Sequence, residues 1–127
     1  MLASTSPYRR ELLERLQLPF LVESPRVDET PLPAETPEAI ARRLALAKAE
    51  AVAARHPQAI VIGSDQTATL DGIGVIGKPG NHRAAVAQLK AASGRELLFH
   101  TALAVLCPAT GFRQLRLGDT RVALRRL

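Results

Sequence analysis

The sequence predicts a single α/β domain over residues 1–127, with helices flanking a mixed sheet. Three observations carry that expectation. Helix and strand patterns alternate through the first half of the chain, and strand patterns follow one another as hairpins through the second. Between them, Ala59-Ile60-Val61-Ile62-Gly63 is a continuous apolar run of the kind found in doubly covered central strands. With 127 residues, 46% hydrophobic and 23% charged, the chain can bury a core without disulfides or metal staples. It has no Trp, and Tyr8, Phe20, Phe99 and Phe112 are its aromatics, so Leu, Val, Ile and Ala must build that core.

Each element has its own signal. Met1-Leu2-Ala3 reads as the end of a buried strand. Ser6 followed by Pro7 starts a helix, because the serine caps and proline suits the first helical position. Leu12, Leu13 and Leu16 give that helix an apolar stripe to about Gln17. Phe20-Leu21-Val22 predicts a short strand, and the four prolines of residues 24–37 predict a loop. Thr36-Pro37-Glu38 repeats the capping signal and opens a helix to about Arg55, its buried face carried by Ile40, Leu44, Ala47 and Ala51. After the central apolar run, Thr67-Ala68-Thr69-Leu70 and Val75-Ile76 flank Asp71-Gly72 as a hairpin. Asn81 caps a third helix to about Ala92, with Val86 and Leu89 inward and Ser93-Gly94 closing it. Residues 96–106 and 112–124 predict two long strands around a turn at residues 108–111.

Composition narrows the function. A single Cys107, in an apolar run, excludes an internal disulfide and a cysteine-rich zinc site and reads as a buried thiol. No apolar stretch is long enough to span a membrane and the N-terminus lacks a signal-peptide pattern, so cytoplasmic location is the expectation. The +5 charge is uneven: residues 1–65 carry 8 Lys/Arg against 9 Asp/Glu, residues 66–127 carry 9 against 3. Arg113, Arg116, Arg121, Arg125 and Arg126 have strand spacing without interleaved aromatics, which favours a solvated face over a nucleic-acid surface. His56, His82 and His100 share no metal-site spacing and read as structural or exposed.

Five places carry candidate chemistry. In Ser4-Thr5-Ser6-Pro7-Tyr8-Arg9-Arg10 a strand feeds a helix through three hydroxyl residues, and two arginines occupy a first turn whose dipole disfavours cations. An anion held at the helix start accounts for that; so does a plain capped helix with solvated arginines, and spacing alone leaves both open. Asp65, after the apolar run, suits a metal ligand or a base for water at a sheet's end, or an ordinary turn carboxylate. Asp28 and Glu29 are adjacent acids that can hold a divalent cation or simply be solvated. Lys48 interrupts an alanine-rich helix, pointing its ammonium into a cleft or snorkelling to solvent. Lys78, in Gly77-Lys78-Pro79, is a phosphate point charge or a turn lysine. No Walker-type loop or dinucleotide fingerprint occurs.

Taken together, these blocks resemble the Maf family of nucleotide pyrophosphatases. The matching segments are Leu2-Ala3-Ser4-Thr5-Ser6-Pro7-Tyr8-Arg9-Arg10-Glu11-Leu12-Leu13, Val27-Asp28-Glu29-Thr30, Leu44-Ala45 with Lys48-Ala49, Ile62-Gly63-Ser64-Asp65-Gln66, Leu70-Asp71-Gly72, Gly77-Lys78-Pro79 and Ala92-Ser93-Gly94. They stand in the family's order at nearly its spacing. The resemblance implies a two-lobed α/β fold similar to that of inosine triphosphatases. It also implies a metal-dependent enzyme that hydrolyses a nucleoside triphosphate to the monophosphate and pyrophosphate. On this sequence the implied proton acceptor falls on Asp65 and the phosphate-holding loop on Ser4, Ser6, Arg9 and Arg10. Metal and phosphate contacts fall on Asp28, Glu29, Asp65, Lys48 and Lys78, with Mg²⁺ or Mn²⁺ as the implied cation. Tyr8 with Arg9-Arg10, and Ser64-Asp65-Gln66, resemble the subgroup acting on 7-methyl-GTP: an aromatic can stack on an electron-poor methylated purine, and Gln66 can read a base edge.

The sequence departs from the family pattern in length. Family domains continue past the strand that residues 119–127 resemble, so the domain is expected to lack the closing segment and to expose apolar surface that favours a homodimer. An extra residue in Ile73-Gly74-Val75-Ile76 is expected to lengthen the hairpin tip. The leading expectation is a small-molecule nucleotide as substrate, with neither nucleic acid nor membrane as partner. A second reading is a catalytically impaired nucleotide-binding or division-linked regulatory module. A nucleic-acid binder drawn by the +5 charge lacks a motif.

Overall fold

A computed structural model describes residues 1–17, 19–70, 73–75 and 82–123. Its elements run β1 (Leu2–Ala3), α1 (Pro7–Glu14), β2 (Val22–Glu23), α2 (Pro37–Ala53), β3 (Val61–Leu70), β4 (Ile73–Val75), α3 (His82–Ala92), β5 (Glu96–Cys107) and β6 (Phe112–Ala123). They build a mixed sheet in the order β2-β1-β3-β5-β6, with β4 paired to β3. β2, β1 and β3 are parallel; β3, β5 and β6 are antiparallel. The expected α/β class is thus observed.

The topology itself creates a crevice. From β1 the chain crosses through α1 to β2 on one side, then through α2 to β3 on the other. Where successive crossovers leave a strand in opposite directions, a gap opens beyond the carboxyl ends of the neighbouring strands. Here that gap lies between β1 and β3. β1 ends at Ala3, paired with Gly63, while β3 runs seven residues further.

α2 seals one face of the sheet. Thr36 caps it, accepting from the Ala39 N–H, and Pro37 occupies the first turn. Its buried side chains are Ile40, Ala41, Leu44, Ala45, Lys48, Ala49, Val52 and Ala53. The expected Ala47 and Ala51 are only half-buried, because the helix is rolled so that the pairs at i and i+1 meet the strands. Small residues on this face let the backbones approach closely. A Cβ at Gly63 would strike the Ala45 carbonyl oxygen and lie 2.7 Å from the Ala49 nitrogen and 2.9 Å from its Cβ. Glycine is therefore required there.

Several expectations are corrected. α1 ends at Glu14 rather than near Gln17, whose φ of 56° marks the left-handed exit of the chain. The proposed stripe is not buried: Leu12 and Leu16 are exposed, since no residue of α1 is enclosed by the sheet. The second strand is Val22–Glu23, with Leu21 exposed, because only two residues reach register with β1. Ala59 and Ile60 precede β3, which instead continues through Leu70 by pairing residue for residue with β5. Leu89 on α3 is exposed, whereas Val86 is half-buried. The strands β5 and β6, the turn with Gly111 at φ 74° and the buried Cys107 match expectation. Asn81, Asp71 and Gly72 lie outside the described residues. No helix among the described residues is long and apolar enough to cross a membrane.

Candidate active site

Alternation along β3 aims its chemistry. Val61, Gly63, Asp65, Thr67 and Thr69 are buried, on the side α2 covers, and Lys48 follows the alanines of α2 toward the same side. The Lys48 Nζ lies 2.9 Å from Asp65 Oδ1 and 2.8 Å from Glu29 Oε1, and donates at 3.4 Å to the Ser64 carbonyl. Lys48 and Asp65 are each 7% exposed. An ion pair this enclosed survives only when geometry and further bonds offset desolvation, and the second carboxylate supplies part of that. The expectation that Lys48 enters a cleft is therefore met in place of the snorkelling alternative.

That cleft, of about 690 Å³, lies at the β1/β3 gap. One wall is the loop leaving β1, with Ser4, Thr5, Ser6, Pro7 and Arg9. The opposite side carries Lys48, Asp65, Gln66 and Thr67, and residues 24–31 close the third. Ser4 is buried and its Oγ accepts from the Ser6 N–H at 3.0 Å; Ser6 Oγ in turn accepts from the Arg9 N–H at 3.3 Å. Ser6 caps α1, as the capping signal implies, and the capped turn faces a polar cleft. Gln66 lines the cleft with its Nε2 donating to Thr101 Oγ1 at 2.9 Å.

Other candidates are placed elsewhere. Arg10 is exposed and pairs with Glu14 at 3.1 Å, one turn along α1. Tyr8 is 66% exposed and does not line the cleft. Asp28 turns back to accept from the Thr30 N–H at 2.9 Å, and the Thr30 hydroxyl, with that N–H, holds its carboxyl below the usual range. Lys78 lies outside the described residues. Asp65 is not at the sheet's end as expected: it is in the middle of β3, and it becomes accessible because β1 stops two residues short of it.

Sequence reasoning missed two contributors. Thr67 lines the cleft and donates to the Pro37 carbonyl at 3.0 Å, tying β3 to the start of α2. Its position two residues after Asp65 on one strand was the available signal. Arg26, at φ 49°, also lines the cleft, and nothing in the local pattern marks it.

The loop of residues 24–36 is fastened by Arg43 on α2. Its guanidinium donates to both oxygens of Glu35, at 2.7 and 3.1 Å, and to the Thr30 carbonyl at 3.2 Å. Arg43 holds the Glu35 carboxyl below its ordinary value of 4.5, with the Leu32 N–H adding to the effect. A depressed carboxylate stabilises the fold above its unfolded pKa, and that contribution is lost as pH falls through the folded value. Glu35→Gln is therefore expected to lower Tm at pH 7, with a deficit against the parent that shrinks below pH 4.5. Melts across that range check it; a deficit independent of pH would contradict it. The histidines are structural or exposed, as expected: His100 is buried between Asp119 and Glu38, His56 meets Glu23, and His82 is exposed.

The described residues supply an oxygen donor set for a hard cation. Glu29 and Asp65 converge within 3 Å of one Lys48 nitrogen, while Asp28 turns away. Among the described residues no three His, Cys, Asp or Glu gather as a closed metal cage. Two carboxylates beside a polar cleft are the donor chemistry a hard divalent cation uses, with water and phosphate completing its shell.

Proteins named 7-methyl-GTP pyrophosphatase from a Polaromonas species and from Albidiferax ferrireducens are 59% and 55% identical over 127 residues. The match covers 100% of this chain but 58% and 63% of those proteins, so the chain spans about three fifths of their length. The Staphylococcus aureus Ham1 protein superposes with a TM-score of 0.62 at 18% identity, over 96% of this chain and 69% of that one, which is a likeness of fold. The model of the Maf-like protein family matches residues 1–127. By that full-length match, the chain is a member of the Maf family.

Proposed function

We propose that the chain carries the phosphate-binding cleft and proton acceptor of a nucleoside triphosphate pyrophosphatase acting on 7-methyl-GTP in the cytoplasm. The observation that supports this most directly is the enclosed Lys48, held between Asp65 and Glu29 and facing the Ser4–Ser6 turn across one cleft. The names of the Polaromonas and Albidiferax relatives support the substrate.

In this reading the Ser4–Ser6 turn and Arg9 hold the triphosphate at the start of α1, where backbone N–H groups and the dipole favour anions. Lys48 neutralises charge beside the α-phosphate. Asp65 accepts the proton of a water that attacks the α-phosphorus, and pyrophosphate leaves. A divalent cation, Mg²⁺ or Mn²⁺, held by Glu29 and Asp65 when bound, would spread the negative charge of the triphosphate. Asp28 and Lys78 remain proposed contacts from the resemblance, Arg10 a peripheral one beside Arg9, and Tyr8 and Gln66 the proposed base readers. Gln66 is the better supported, since it lines the cleft. The exposed Tyr8 and Leu12, four apart on α1, with the exposed Leu16 just past its end, support association as a homodimer.

Arg9 and Arg10 separate the phosphate site from mere basicity. Arg9→Ala is expected to raise KM about tenfold or more, the worth of a charge-assisted bond to phosphate. Arg10→Ala, losing an exposed pair with Glu14, should change it less than about twofold. Equal effects would contradict the placement. The function is tested by pyrophosphate release from 7-methyl-GTP, GTP, UTP and dTTP with Mg²⁺. The expected result is release with 7-methyl-GTP preferred; release from none overturns the activity. Nucleotide-induced thermal stabilisation without turnover would favour a binding module instead.

A further inference from the structure

Residues 24–36 form a wall of the cleft without any helix or strand, and two of them, Arg26 and Ala34, sit at positive φ. Such a segment does not hold a side chain in place by itself. Yet Glu29, whose side chain is 59% exposed, is held 2.8 Å from the buried Lys48. Something must fix the backbone next to it.

We propose that Arg43 is a positioning residue: it anchors the Thr30 end of the loop to α2 and so sets the Glu29 carboxylate against Lys48. Arg43 does not line the cleft. Its guanidinium bonds both Glu35 oxygens and the Thr30 carbonyl, one residue beyond Glu29. The Thr30 N–H is held from the other side by Asp28, so both backbone polar groups of residue 30 are tied. Glu35 also accepts from the Leu32 N–H, which makes the clasp continuous from residue 28 to residue 35. Arg43 and Lys48 stand on the same helix five residues apart. One rigid element thereby fixes both the cation and the backbone that presents its second carboxylate. A fork geometry is needed to span Glu35 and a carbonyl together, which lysine cannot reproduce.

This inference rests on the proposed pyrophosphatase reading for its kinetic arm and not for its second arm. In the first, the parent chain, Arg43→Gln, Glu29→Gln and the double variant are compared for pyrophosphate release from 7-methyl-GTP. Arg43→Gln is expected to lower kcat/KM by about tenfold to a hundredfold, the scale of a displaced catalytic group. In the Glu29→Gln background the same change should cost less than about twofold, because the two act through one path. An equal loss in both backgrounds overturns the proposal, since a merely structural role would persist without Glu29. In the second arm, trypsin cleavage after Arg26 is followed well below Tm, without substrate. Arg43→Gln and Glu35→Gln should both accelerate it and Arg43→Lys should restore it only partly; cleavage at the parent rate overturns the proposal. A parent chain that releases no pyrophosphate overturns the proposed function, while the trypsin comparison still decides the clasp.

Discussion

Asp65→Asn is expected to lower pyrophosphate release by about 10² to 10⁴-fold, the range for removing a positioned general base. The amide keeps the size of the carboxylate but cannot accept the proton of the attacking water. It also removes one of the two anions that face Lys48. The ammonium is not orphaned, because Glu29 remains 2.8 Å away. The full cost of an unpaired buried charge is thereby avoided, and the variant should fold. The separation of effects is the useful part: kcat should collapse while Tm moves little. Steady-state kinetics beside a thermal melt checks both, and retained turnover would remove Asp65 from the chemistry.

Gly63→Ala should act in the opposite way, through the fold. The added methyl meets backbone atoms of α2 at Ala45 and Ala49, with no flexible side chain to yield. Overpacking of this kind costs about 3 kcal/mol when the obstruction is backbone, equivalent to a fall in Tm of about 10 °C for a domain of this size. Relief requires α2 to move away from β3. Because Lys48 lies on that helix and Asp65 on that strand, their 2.9 Å contact should lengthen with it. Activity and stability are therefore expected to fall together, in contrast to Asp65→Asn. A variant with parental Tm would show that the helix and strand are not packed as closely as described.

What the sequence disclosed follows from the range of the interactions involved. The caps at Ser6-Pro7 and Thr36-Pro37 were legible because a cap is decided within four residues. The β5/β6 hairpin was legible for the same reason, its turn and register being local. Lys48 was noticed because a charge among alanines is conspicuous. Its partners were not deducible from spacing, since Glu29 and Asp65 are brought to it by a loop and by a strand distant in sequence. The apolar run ends before Asp65, but the strand does not. Pairing with β5 carries β3 on through polar residues, and it is the shortness of β1 that opens the site. The Arg43 clasp escaped notice because its partners lie in a proline-rich loop whose path has no periodic signature. Geometry divides the residues of the family resemblance: Arg9, Lys48, Glu29, Asp65 and Gln66 meet in the cleft, and Arg10, Tyr8 and Asp28 do not.

In the proposed reaction Asp65 directs a water to the α-phosphorus of a triphosphate bound between the Ser4–Ser6 turn and Lys48. Hydrolysis of 7-methyl-GTP in ¹⁸O-labelled water, with mass analysis of both products, tests it most directly. One labelled oxygen is expected in the nucleoside monophosphate and none in the pyrophosphate. Label in the pyrophosphate, or release of orthophosphate in its place, would contradict it.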